Sequence, residues 1–442
     1  MKKLVKLFTA VLMIVSLLIT GFSVASVASP GRETVVNWNS GRNYRLFVPS
    51  GYTPGEALPL VVMLHGCAQT ATEFSNGTRM NQIAEQYNFI VMYPEQSTAA
   101  NSTRCWNWFE PAHQRRGSGE PQIIVDMIRH VQSNFTVDDS AIFASGLSAG
   151  GAMAVTLGVL YPDVFSAIAP FAGLQYQAGT SMLNAFSAMN PGNTAVAPAT
   201  AARNASNQVP ANGRSVVPTI IFHGASDFTV VPRASENIVT QMLEYNRLHG
   251  ATIGHTPETR NGSANGLNYS VQTFRNANGD QLVEFHRITG LGHAWSGGNG
   301  AIAHTDSRGP NASLLSWHFF MRTMGEQTTP PPPCEVNPNL PECQEPVLPP
   351  CEVNPNLPEC QEPVLPPCEV NPNLPECQEP ALPPCVEYVV VRANVNQHSL
   401  AGRIPPAQFN GLFILHGPMG AFNMYQVVGT NVWTTTRPVN GC

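Results

Sequence analysis

Residues 142–153 read IFASGLSAGGAM. An apolar, β-type run, SAIFAS, leads into Gly146-Leu147-Ser148-Ala149-Gly150, and a small-residue helical run, AGGAMAVTLGVL, leads out. A serine between strand and helix, with Gly146, Gly150 and Gly151 around it, fits a sharp turn in which the two elements approach too closely for larger side chains. A bare G-x-S-x-G arises easily by chance. Its position between strand and helix makes Ser148 a candidate nucleophile rather than a serine in a glycine-rich turn.

Outward from that turn the same alternation continues. LPLVVMLHG, FIVMYP, SAIFASG, FSAIAPFAG, VPTIIFHG and LVEFHRITG are short, continuously apolar and β-rich, as parallel strands buried on both faces are. Helical stretches fall at 72–86, 122–134, 149–160, 233–249 and 313–324. Strands alternating with helices of this length predict an α/β fold of the α/β-hydrolase type. Its parallel sheet is covered on both faces, and its chemistry sits at the carboxyl ends of the strands.

A serine hydroxyl needs a base to take its proton and a carboxylate to hold that base in the right tautomer; in this fold they follow in the order Ser, Asp, His. Asp227, in HGASDFTVVP, lies just past an apolar strand, although it would also serve to cap the helix beginning near Pro232. His293, in GLGHAWSGG, follows the last strand in a glycine-rich loop. His286 falls within a strand, His223 sits where it would bond locally, and His304 has no comparable context. An oxyanion needs two backbone amides, one from the residue after the nucleophile, here Ala149. The loop after VVMLHG offers the other at Cys67, with His65 as an organiser of that loop. Cys105, in RCWNWF, is the domain's only other cysteine, so a Cys67–Cys105 disulfide is expected, fixing the loop against Trp106 and Trp108. Those two tryptophans and Trp295 would line an acyl pocket or simply pack in the core.

The ends of the 442-residue chain read differently. Residues 1–28 place three lysines before an apolar run and finish in small residues, a signal peptide rather than an uncleaved anchor. Export makes the ten cysteines disulfide candidates. From 328 to 384 a 17-residue unit, CEVNPNLPECQEPVLPP, begins at Cys334, Cys351 and Cys368, the third copy carrying Ala381 in place of the valine. It is too proline-rich and acidic to build a core and reads as an extended spacer, with Cys334–Cys343, Cys351–Cys360 and Cys368–Cys377 loops or pairing between neighbouring units. Residues 385–442 regain β-type composition and read as a small module, with Cys385 and Cys442 positioned to join its ends.

The formal charge of −6 arises at these ends: nine glutamates lie in the spacer and three lysines in the signal peptide, so 20 acidic and 20 basic residues remain elsewhere. Near-neutral folded parts give no electrostatic case for nucleic acid or an anionic membrane as partner.

The set LHGCAQTATEF, CWNWF, GLSAGGAMA, HGASDFTVVP and GLGHAWSGG, in this order, resembles the poly(3-hydroxybutyrate) depolymerase type of esterases, which includes acetylxylan and feruloyl esterases. The likeness covers about 32–325, within a catalytic domain read as 31–325. It implies a Ser148, Asp227 and His293 triad, with Cys67 and Ala149 supplying the oxyanion amides and no metal or cofactor. It also implies an insoluble polyester or polysaccharide substrate, reached outside the cell with the help of the terminal module. A plant cell-wall esterase, or an inert surface-binding protein, would share much of this architecture.

Overall fold

The structure, a computed structural model, describes residues 31–325 apart from 40, 41 and 255, and the backbone of three short strands further on. The segments expected to be a signal peptide and a repeat spacer with paired cysteines, and most of the terminal segment, lie outside the described residues.

Ten strands form one sheet: β1 (Arg32–Asn37), β2 (Asn43–Val48), β3 (Leu58–Leu64), β4 (Ile90–Pro94), β5 (Val137–Leu147), β6 (Ala167–Phe171), β7 (Thr219–Gly224), β8 (Glu258–Ala264), β9 (Leu267–Arg275) and β10 (Gln281–Ile288). Their order is β1-β2-β4-β3-β5-β6-β7-β10-β9-β8. The six predicted apolar strands are the six parallel neighbours from β4 to β10. The edges are antiparallel, with β1 and β2 on one side and the β9–β8 hairpin on the other. The sheet is thus mixed, and only its buried middle is parallel. β8 reads ETRNGSA and is mostly exposed, so it lacks the apolar run by which the central strands announce themselves.

Eight helices flank the sheet among the described residues: α1 (Ala71–Thr78), α2 (Met80–Tyr87), α3 (Gly119–Gln132), α4 (Ala149–Leu160), α5 (Met182–Met189), α6 (Pro198–Ser206), α7 (Arg233–Leu248) and α8 (Ala312–Thr323). They enclose two apolar cores, one on each face. Every residue of α4 is buried, which explains why it is apolar all round rather than striped.

The single helix expected over 72–86 is two helices, separated at Arg79, whose φ is +57°. The carbonyls that would extend α1 are taken from outside: Asn299 N–H donates to Gly77 (2.8 Å) and Ser313 Oγ to Thr78 (2.7 Å). The partners come from the segment after β10, where β11 (Trp295–Ser296) pairs in parallel with β12 (Thr305–Asp306). Cys67 and Cys105 are disulfide-bonded, as expected from their being the domain's two cysteines. Farther along the chain, β13 (Tyr388–Asn394), β14 (Ala421–Val427) and β15 (Trp433–Thr434) pair as a three-stranded antiparallel sheet. Among the described residues, no helix is long and apolar enough to cross a membrane.

Candidate active site

Ser148 stands between β5 and α4 with φ +58° and ψ −118°, a conformation that L-residues rarely hold. Its surroundings leave no room to relax. A Cβ on Gly150 would lie 2.0 Å from the Leu64 carbonyl oxygen, and one on Gly146 would lie 2.6 Å from both Leu64 O and Gly150 O. The glycines therefore let α4 start directly against the ends of β3 and β5. Ser148 N–H donates to Phe171 O at the end of β6 (2.9 Å), tying the turn to the next strand.

Asp227 and His293 follow the carboxyl ends of β7 and β10, so both lie along the same edge of the parallel sheet as Ser148. Two contacts hold the Asp and His loops together: Ala225 N–H donates to Ile288 O (2.7 Å) and Ser226 N–H to Leu291 O (2.9 Å). They cross at Gly224, where a Cβ would come within 2.3 Å of Gly292 O. His293 Nδ1 meets Asp227 Oδ2 at 2.6 Å. The other carboxylate oxygen, Oδ1, accepts from Thr229 N–H (2.9 Å) and Val230 N–H (3.0 Å). Asp227 thus orients an imidazole instead of capping α7. Burial alone would push its carboxyl up, but His293 and His223 offset this and hold it well below the usual carboxylate range. His223 itself bonds locally, to Ser235 Oγ (2.6 Å) and Val230 O (2.8 Å).

The loop after β3 is braced from three sides. His65 is buried, with Nδ1 on Gly66 O (2.8 Å) and Nε2 accepting from Gln96 N–H (3.1 Å), which fixes the proton on Nδ1. Gln96 also reaches Cys105 O (2.9 Å) and Glu120 (2.5 Å), and Glu120 accepts from Asn107 N–H (2.7 Å). The disulfide is therefore reinforced by a polar network between the Cys67 and Cys105 loops. Gln69 accepts from Gly66 N–H (2.9 Å) and donates to Ala303 O (3.2 Å), linking this loop to the one beyond His293. Ala68 N–H is also committed, to Thr103 O (2.7 Å), and the Cys67 amide lies between these two.

Burial holds the His65 imidazole down to about 4, against the opposing effect of its bond to Gly66. A histidine lowered from about 6.5 in the unfolded chain leaves the folded state binding fewer protons between those values, so stability rises with pH across that window and is lost as pH falls through it. Unfolding by urea should show about 2 kcal/mol less stability at pH 4.5 than at pH 7 from this group. His65→Gln should flatten that part of the slope. An unchanged slope in the variant would assign the acid sensitivity elsewhere.

The predicted aromatic pocket needs correction. Only Trp108 lines the cleft of about 400 Å³ beside Cys67 and Cys105. Trp106 is buried under the loop with its ring 5.7 Å from His65, and Trp295 turns inward to pack on Phe74 and Phe171, its Nε1 donating to Ser313. Trp295 is turned away because Trp295 N–H pairs with His304 O (2.8 Å) in the β11–β12 bridge. That bridge also brings His304 to 6.1 Å from the His293 ring, a proximity the sequence did not signal. Burial and the neighbouring His293 both lower its basicity. A larger cavity of about 840 Å³, near Pro218, Gln281 and Leu282, lies at the amino ends of β7 and β10, opposite this site.

A strained serine turn on a mostly parallel sheet, with an Asp-oriented histidine at the same edge, defines the α/β-hydrolase fold. A family model described as Esterase PHB depolymerase matches residues 42–264, half of the chain, and the chain belongs to that family. Poly(3-hydroxyalkanoate) depolymerase C of Paucimonas lemoignei is 40% identical over 256 residues, which are 57% of this chain and 58% of that enzyme's length. Feruloyl esterase B of Neurospora crassa is 30% identical over 221 residues, 47% of this chain and 73% of its own. Probable acetylxylan esterase A of Neosartorya fischeri is 29% identical over 229 residues, 48% of this chain and 61% of its own. Among solved structures, acetyl xylan esterase from Aspergillus awamori shares the fold, with a TM-score of 0.51 at 24% identity, covering 60% of this chain and 94% of that one.

Proposed function

We propose that the protein is a secreted serine esterase that cleaves poly(3-hydroxybutyrate)-type polyester through Ser148, His293 and Asp227. The observation that carries the reading is the 2.6 Å bond between His293 Nδ1 and Asp227, set on the same sheet edge as a serine in an elbow conformation. With Nδ1–H directed at the carboxylate, Nε2 is left as the basic nitrogen. In the reaction, Ser148 Oγ attacks the ester carbonyl and passes its proton to His293 Nε2. The carbonyl oxygen, now negative, accepts from the Cys67 and Ala149 amides. Collapse breaks the ester bond, the alcohol leaves with the proton from His293, and the acyl group stays on Ser148. Water, deprotonated by His293, then attacks the acyl-enzyme and frees the acid.

The polyester assignment draws on the depolymerase likeness, at 40% identity against 30% and 29% for the two cell-wall esterases. In this reading residues 1–28 direct export, 328–384 space the domains, and 385–442 hold the enzyme at the solid, raising the local concentration of scissile bonds. The purified protein should clear a poly(3-hydroxybutyrate) suspension and release little acetate or ferulate from xylan. The reverse pattern would transfer the assignment to the cell-wall esterases.

A further inference from the structure

Six large apolar side chains are substantially exposed among the described residues, and four of them, Met182, Leu183, Phe186 and Phe228, share one neighbourhood. Three lie on α5 and the fourth follows Asp227; Asn190, at the end of α5, donates its amide to Phe228 O (3.0 Å) and joins the two segments. α5 is built the wrong way round for an ordinary surface helix. Its buried residues are Ala185 and Ala188, while Leu183 is 79% exposed, and Phe228 is 71% exposed. The buried face of α5 packs at close range near Gly179, where an added Cβ would lie 3.0 Å from the Ala185 backbone. Close packing there fits a small residue at 185 but does not account for the large residues turned to solvent.

The surrounding chain is also uncharged: no Asp, Glu, Lys or Arg lies between Asp163 and Arg203. Met182 and Phe186 continue the patch into the cleft that Cys67, Cys105 and Trp108 line. Of the residues lining that cleft only Glu110 bears a charge, so the surface is largely apolar from solvent to the loop where the reacting carbonyl is placed above. The methionine, leucine and two phenylalanine side chains of the patch offer no hydrogen-bonding group to sugar hydroxyls and no cation to an anionic lipid.

We infer that Leu183 and Phe228, continued by Met182 and Phe186, form a docking platform on the catalytic domain for an uncharged aliphatic polyester chain, guiding it from the solid surface into the cleft. This rests on the polyester reading of the site. The platform acts separately from any adsorption by residues 385–442: those residues would set how much enzyme is bound, and the platform how often a bound molecule is productive.

The test uses the full chain carrying Leu183→Gln and Phe228→Gln, two residues outside the cleft lining. Turnover of poly(3-hydroxybutyrate) film is measured at equal bound enzyme, beside hydrolysis of soluble p-nitrophenyl butyrate. The expected result is a loss of about tenfold on film per bound molecule, with soluble turnover within about twofold of wild type. Leu183→Met with Phe228→Leu should restore film turnover. Wild-type turnover on film by the Gln variant would overturn the platform while leaving the polyester reading intact. Equal losses on film and soluble ester would also overturn it, by showing that the patch supports the catalytic loop. A wild-type dimer that the Gln variant dissociates would reassign the patch to self-association. Wild-type protein that leaves the film untouched would overturn the polyester reading and the platform together.

Discussion

Ser148→Ala should lower kcat on p-nitrophenyl butyrate by on the order of 10⁵, with little change in thermal stability. The two expectations have separate physical sources. The backbone of residue 148 is held by its N–H bond to Phe171 O and by the close approach of Gly146 and Gly150 to the end of β3, none of which involves the hydroxyl. Removing Oγ therefore deletes the proposed nucleophile without unpinning the turn. The remaining activity, still above that of water alone, would come from the Cys67 and Ala149 amides and from substrate binding. A phosphonate aimed at activated serines should label the wild type at Ser148 and leave the variant unlabelled. A variant keeping more than a tenth of the activity, or a label on another residue, would remove Ser148 from the chemistry.

The parts of this protein that can be read from sequence are those where one physical demand fixes the residue types. A strand buried on both faces must be apolar throughout, so β3 to β7 and β10 stand out, whereas β8 and β9 at the exposed edge carry no such demand. The elbow glycines are legible because only a missing side chain fits there. α5 and α6 are hidden: α5 and the start of α6 lie in an uncharged stretch carrying scattered Gly, Pro, Asn and Thr that resembles a loop, and α5 inverts the usual amphipathic pattern. The tryptophans mark the other limit. Proximity in sequence to Cys105 or His293 says nothing about rotation, and backbone pairing in the β11–β12 bridge turned Trp295 into the core. That same pairing placed His304 beside His293 across eleven residues of sequence, a relation no local pattern encodes.

Asp227→Asn should cost about 10³ to 10⁴ in kcat while leaving the fold intact, and the reason lies on the side of the carboxylate away from His293. Oδ1 accepts from two backbone amides, Thr229 N–H and Val230 N–H, so an asparagine must present its carbonyl oxygen to them. Its NH₂ group is then forced toward His293. A donor facing Nδ1 turns that nitrogen into an acceptor and moves the ring proton to Nε2, the atom that receives the serine proton in the mechanism proposed above. The variant thus keeps its packing and loses the working tautomer. Stability gives an independent check. Because the folded carboxyl lies below its unfolded value of about 3.9, its contribution is present above that pH and is lost as pH falls through the folded value. The wild type should therefore exceed the variant in stability at pH 5, with the gap closing in stronger acid. A variant retaining most of its kcat, with Asp227–His293 intact in the wild type, would mean that the histidine needs no orienting carboxylate, and another base would have to be sought.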